Sequence, residues 1–189
     1  TASPNNITSP GAHQTVYGGG IDDALIIKFS DTGNRLWASY LGGSEHDIAE
    51  AITIDKVGNV IVTGHTESSN NISTAGSYKS NYTFLRDVFV AKFNSLGVRL
   101  WCTYYGDSDI DEAYGIATDS LNDIYITGFT KSISGISTTG CHQLNLLGFS
   151  DGFVAKINSA GNTLLWGTYF GGNENGAEQS NVVRVNSEG

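Results

Sequence analysis

One block of sequence returns three times along this chain, and that periodicity constrains the fold more than any other feature. Asp23, Asp87 and Asp151 lie 64 residues apart, as do Lys28, Lys92 and Lys156, and Gly33, Gly97 and Gly161. Trp37, Trp101 and Trp166 are spaced by 64 and 65, and Gly11, Gly76 and Gly140 by 65 and 64. Side by side, the copies read ALIIKFSDTGNRLWASYLGG, VFVAKFNSLGVRLWCTYYGD and GFVAKINSAGNTLLWGTYFGG. A unit of this kind buries its apolar surface only by stacking on its neighbours.

Each copy divides into four short strands. AEAITID and EAYGIATD lead into VIVTGHT and IYITGFT across the turns DKVGN and SLND. ALIIKF, VFVAKF and GFVAKI lead into RLWASYL, RLWCTYY and TLLWGTYF across SDTGN, NSLGV and NSAGN. Asn and Gly tolerate the left-handed backbone that such tight connections need. Two hairpins in succession make a four-stranded antiparallel meander. The third strands are apolar on both faces, Val88 and Val90 on one and Phe89, Ala91 and Phe93 on the other, so both faces must be covered. Sheets stacked around an axis satisfy this, and the recurring tryptophan reads as packing between them. A solenoid would use shorter units of one or two elements. The fold class is therefore all-β, a β-propeller. The copies fall at about residues 5–69, 70–133 and 134–189, with complete blades near 48–105 and 112–170 and partial ones beside them. Propellers close with about 4 to 8 blades. Three copies, beginning at Thr1 without an initiator methionine, are expected to be part of a longer polypeptide.

Composition agrees and narrows the function. The 189 residues include 24 glycines, 9 tyrosines and 3 tryptophans, but only 2 prolines and no methionine, a balance that favours sheets and turns. With 19 acidic against 10 basic residues, the formal charge of −9 repels phosphate backbones, so nucleic acid is not an expected partner. No stretch approaches the roughly 20 apolar residues of a membrane span, so no membrane insertion is expected. Cys102 and Cys141 form no metal-binding spacing. They read as independent small residues, with a bridge between them as the alternative.

DVFVAKFNSLGVRLWCTYYGD, DEAYGIATDSLND and IYITG, with ISTAG and ISTTG between copies, resemble the bacterial SBBP family, the "seven-bladed β-propeller" repeat. The resemblance covers nearly the whole chain. It implies blades of a large secreted or surface-attached bacterial protein, sometimes secretion-linked, generally without an assigned catalytic residue. The third copy departs from the pattern: NENGAEQSNVV replaces the acidic loop and the Gly-Ile-Ala segment.

Candidate binding residues come from the loops. The second-to-third connections, such as Glu67 to Arg86, are about 20 residues long. Long loops on a rigid scaffold are where binding tends to reside. The expected contact regions are 43–47, 67–86, 107–112, 131–150 and 172–176, although Ile72-Ser73-Thr74 and Ile136-Ser137-Thr138 recur and read as structural. The expected partner-binding residues are Glu45, His46, Asp47, Glu112, Tyr78, Tyr82 and His142. Asp107, Asp109 and Asp111 alternate as oxygen ligands to calcium could, with solvated turn residues as the alternative. Glu174 and Asn175 are the third copy's polar loop. His13 and His142 share a repeat position with Tyr78 and read as packing. No HExxH spacing, P-loop or Ser-His-Asp order is evident. Asn6, Asn71 and Asn81 head Asn-X-Ser/Thr triplets, which matter only in a eukaryotic secretory pathway. The expected function is a non-catalytic module that binds a protein or glycan, or displays other parts of the parent polypeptide. The alternative is a carbohydrate-active hydrolase or lyase using acidic residues.

Overall fold

The computed structural model describes residues 1–3, 7–173 and 176–186, so Asn6, Glu174 and Asn175 lie outside the described residues. Ten strands and no helix are present among them. Strands β1 (Ala24–Phe29) and β2 (Arg35–Leu41) pair as a hairpin. Strands β3 (Asp47–Ile54), β4 (Val60–Thr66), β5 (Asp87–Phe93) and β6 (Arg99–Tyr105) form a four-stranded antiparallel sheet in chain order. Strands β7 (Asp111–Thr118), β8 (Ile124–Thr130), β9 (Asp151–Ile157) and β10 (Leu164–Phe170) repeat it. These are propeller blades. No helix among the described residues is long and apolar enough to cross a membrane.

Burial follows the alternation of β5. Val88 and Val90 enter a core shared with Ile124, Ile126, Phe153 and Tyr169 of the following blade. Phe89, Ala91 and Phe93 enter another shared with Ala24, Ile26 and Trp37 of the preceding hairpin. Both faces of the sheet are therefore blade junctions, which is why the strand has no polar face.

The tryptophans set the spacing of these junctions. The indole N–H of Trp37 donates to Ser95 O at 3.1 Å, and that of Trp101 to Ser159 O at 3.3 Å. The ring of Trp37 lies over Gly97, a positive-φ turn residue whose absent Cβ would come within 2.7 Å of it. Gly161 does the same for Trp101, so the recurring glycine serves both the left-handed turn and the indole above it. Trp37 and Trp101 are 7% and 9% exposed, whereas Trp166, with no hairpin seated on it among the described residues, is 36% exposed. The expectation of three equivalently buried tryptophans thus holds for two.

The long connections are fastened to the outermost strands. Thr74 N–H donates to Cys102 O (2.9 Å) and Tyr104 N–H to Lys79 O (3.0 Å). Thr138 and Tyr169 repeat this with Gly167 O and Gln143 O at 2.9 and 3.1 Å. Running beside β6 and β10, these segments satisfy backbone groups that an edge would otherwise expose. Much of 67–86 and 131–150 is therefore sheet cover rather than adaptable loop. Cys102 and Cys141 are both free.

Candidate functional site

Three chain segments meet at the loop-side rim of the junction between the two complete blades. Glu67 follows β4 and donates its backbone N–H to His46 O at 2.9 Å. Arg86 precedes β5 and bridges to Ile110, which precedes β7. This pairing brings side chains from both blades together around Arg86.

The Arg86 guanidinium holds Glu67 Oε1 at 2.7 Å and pairs with Glu112 of β7. Glu112 also accepts from the Tyr114 hydroxyl. His46 lies 3.7 Å from Asp22 and 3.9 Å from Glu67, and its ring stands edge-on to His65 at 6.1 Å. His65 Nδ1 is buried without a hydrogen bond, 4.0 Å from Glu50. Glu50 and Tyr114 occupy the bulges where the β3–β4 and β7–β8 registers shift. Bulges re-aim side chains and are common next to functional sites.

Burial and charge set the protonation states. Burial pushes His65 down to about 4, so its imidazole is neutral near pH 7. Burial alone would raise Glu112, but the Tyr114 hydroxyl and Arg86 hold it below the usual carboxylate range. Burial likewise works against the charge on Arg86, yet Glu67 and Glu112 keep it more firmly protonated than an ordinary arginine. Asp22, Glu50, Glu67 and Glu112 stand against the Arg86 guanidinium and the Thr1 α-amino group, so the rim carries surplus negative charge.

Two of the residues expected to bind, His46 and Glu112, belong to this rim. The others lie elsewhere. Glu45 is exposed, with its N–H fixed to Ser68 Oγ at 2.9 Å. Tyr78 packs against the core of the second junction and donates its N–H to Gly161 O at 2.9 Å. Tyr82 packs against the first core, its hydroxyl on Leu85 O at 2.6 Å. His142 is exposed beside Phe170, away from the rim. His13, at the same repeat position, packs edge-on against Phe93 of the next blade.

Asp47 and Asp111 need correction as loop residues, because both are fully buried at strand starts. Asp111 accepts from Thr130, from Ser132 Oγ at 2.8 Å and from Asp107 N–H at 2.9 Å. Asp107 turns to Ser134, and Asp109 accepts from Ile110 N–H at 2.8 Å. The three carboxylates are thus engaged separately rather than gathered as calcium ligands. Among the described residues no group of three or more acidic, histidine or cysteine side chains is placed to hold a metal ion.

Glu67 and Arg86 bound one of the expected contact regions, 67–86, whereas Asp22, Glu50, His65 and Tyr114 were missed as rim residues. The available signal was disagreement between copies. The registers place His65 where the next blade has Phe129, and Glu50 where it has Tyr114. Arg86 corresponds to Ser150 one repeat later.

The sequence profile of the beta-propeller repeat family, SBBP, matches residues 36–72 and 100–133. Two repeats of this chain carry that pattern. Each match begins in the last strand of one sheet and runs through the first two strands of the next, so the repeated unit straddles a blade junction. The chain is also similar to an uncharacterized WD repeat-containing protein of Acanthamoeba polyphaga mimivirus, at 28% identity over 172 residues, covering 84% of this chain. It is similar to the regulatory protein FlaEY of Caulobacter vibrioides, at 25% identity over 114 residues and 60% of this chain. The chain spans 12% of the length of each of these relatives.

Proposed function

We propose that this chain is a non-catalytic interaction module of a larger secreted or cell-surface protein, and that its acidic rim receives a basic segment of a protein partner. One observation carries the reading: polar residues that break the repeat converge around Arg86, while the repeated positions are spent on packing. Surplus carboxylates on a rigid scaffold attract cationic side chains and disfavour acidic ones. The similarity to a WD repeat-containing protein supports a scaffold role. The resemblance of the repeats supports the extracellular setting.

The carbohydrate-active alternative also looks to this rim, because a propeller enzyme needs unrepeated polar groups near the inner strands. Protonation disfavours it. A glycosidase needs an accessible carboxylic acid with a raised pKa. Glu112 is held low, and the strongly raised carboxyls, Asp47 and Asp111, are shut inside the blades.

The test is fluorescence anisotropy with matched lysine-rich and glutamate-rich peptides. Salt-sensitive binding of the basic peptide, weakened several-fold by Glu67→Gln together with Asp22→Asn, is the expected result. Equal binding of both peptides, or indifference to the double substitution, would overturn the proposal. Release of reducing sugar from a glycan panel would replace it with the enzymatic reading.

A further inference from the structure

The first two blade junctions each hold a pair of acidic side chains at the same place. At the first, Asp23 begins the hairpin and Asp47 begins β3. Asp23 Oδ1 and Asp47 Oδ2 lie 2.7 and 2.8 Å from the point where a Cβ on Gly42 would stand, so they face one another across a position that only hydrogen can occupy. At the second, Asp87 begins β5 and Asp111 begins β7, with Gly106 in the corresponding place against Asp111. At the third, Glu178 takes the backbone position of Asp47 and Asp111. Its N–H donates to Ser150 O at 3.1 Å, as theirs donate to Asp22 O and Arg86 O at 2.8 and 2.9 Å. Gly171 lies beside Asp151 as Gly42 lies beside Asp23, but both Asp151 oxygens accept hydrogen bonds, from Gly148 N–H and from Leu147 N–H and the Gln143 amide, so the arrangement is not repeated there.

Both pairs contain a buried carboxyl oxygen with no hydrogen-bond partner, Asp23 Oδ1 and Asp87 Oδ1. The other oxygens of the aspartates are well supplied. Asp47 accepts from Gly43 N–H (2.7 Å), Ser68 Oγ (2.8 Å) and Thr66. Asp23 accepts from Gly18 N–H (2.7 Å) and the Gln14 amide (3.1 Å). Two ionised carboxylates cannot share a dry site without a compensating charge.

We propose that the carboxyl pairs Asp23–Asp47 and Asp87–Asp111 each share one proton, held between two blades, and that this proton ties the docking of one blade on the next to pH. The unpartnered oxygens are sealed from solvent, and a proton needs no channel. N–H and hydroxyl donors crowd the remaining oxygens, which suits a carboxyl–carboxylate pair and repels a metal cation.

The facing groups leave one carboxyl of each pair without a full balancing cation. At the first junction the α-amino group of Thr1 sits 3.3 Å from Asp22 and donates to Asp23 O at 2.7 Å, on the outer side of the pair. Tyr17 and Tyr40 lie within electrostatic reach of Asp23, and Cys102 and Tyr104 within reach of Asp47; the Tyr17 and Tyr104 hydroxyls donate to Gly20 O and Ser68 O. Of these only the Thr1 α-amino group is a cation, and its pull on Asp23 is weaker than the effect of burial. At the second junction Lys79 pairs with Asp87 at 3.1 Å, while Asp111 accepts from uncharged N–H and hydroxyl donors, so the proton balances Asp111. Burial pushes Asp47 up to about 6 and Asp111 up to about 7, each raised further by its partner aspartate. Burial raises Asp23 and Asp87 as well.

These folded-state values lie above the unfolded value of about 3.9. The stability they contribute is therefore fully present below about pH 4 and is lost as pH rises through 6 to 7. The test is a carbon-13 NMR titration of the aspartate carboxyl carbons in the full chain, with and without calcium. Two carboxyls titrating near pH 6 and 7, removed one at a time by Asp47→Asn and Asp111→Asn and unmoved by calcium, is the expected result. Should a variant fail to fold, the assigned midpoints of the unaltered chain still decide. All aspartates titrating below about pH 5, or midpoints that fall when calcium is added, would overturn the proposal.

Discussion

The interior of the blade junctions and the rim above them obey opposite rules. Inside, equivalent positions hold equivalent residues: Trp37 and Trp101 over Gly97 and Gly161, and Asp47 and Asp111 on the same Thr, Ser and N–H donors. At the rim, equivalent positions differ, with His65 against Phe129 and Arg86 against Ser150. A junction position must fit its neighbours in every blade, so it repeats. A rim position faces outward at one place only and is free to diverge. The repeat thus encodes the fold, and its exceptions mark where the molecule can recognise something.

The largest expected effect tests the interior. Trp101→Ala removes a buried indole and should cost about 3–5 kcal/mol in chemical denaturation. Trp166→Ala, on the uncovered last strand, should cost less than about half as much. Equal losses would mean that the tryptophans do not act through the junctions.

Next comes Arg86→Ala, which leaves Glu67 and Glu112 without their cation. Because the group is partly exposed, a loss of about 1–2 kcal/mol is expected, together with a rise in the Glu112 pKa. A change below about 0.5 kcal/mol, within the range of an ordinary surface substitution, would make Arg86 a solvated residue rather than the centre of the rim.

A smaller effect concerns pH. Burial holds His65 and His13 near 4 against an unperturbed value of about 6.5. Their lowered values favour the neutral fold, so stability falls as pH drops from about 6.5 towards 4. The junction carboxyls act in the opposite sense over an overlapping range. His65→Phe, borrowing the residue of the next blade, should therefore leave a profile that rises more clearly on mild acidification. An unchanged profile would mean that His65 does not titrate against the fold.

The smallest effect separates two junctions. Lys79 donates to Asp87 and, at 2.7 Å, to Gly106 O, whereas Gln14 donates to Asp23 and accepts from Gly42 N–H at 3.1 Å. Lys79→Gln makes the second junction resemble the first. It should raise the Asp87 pKa while changing stability at pH 5 by less than about 1 kcal/mol. A fall in that pKa would contradict the equivalence of the junctions.

The strands were legible because apolar alternation on β5 has one physical reading, two covered faces. Two features hid for different reasons. The fastening of the long connections rests mainly on backbone hydrogen bonds, which leave little trace in residue identity beyond Thr74 and Thr138. Asp47 and Asp111 were mistaken for loop residues because aspartate is also a common turn former. Glu178 was not matched to them because the spacing slips in the third copy. The rim was half legible: His46 and Glu112 stood out as polar, but Arg86 and His65 become meaningful only when the sheets bring them together.

The most direct test of the account is an amide NMR titration of the full chain with a lysine-rich peptide. The account predicts shifts concentrated around Asp22, His46, His65, Glu67, Arg86 and Glu112, with the repeated tryptophan contacts unmoved. Shifts centred on the short turns at Gly33, Gly97 and Gly161, or along the outer strands β6 and β10, would contradict it.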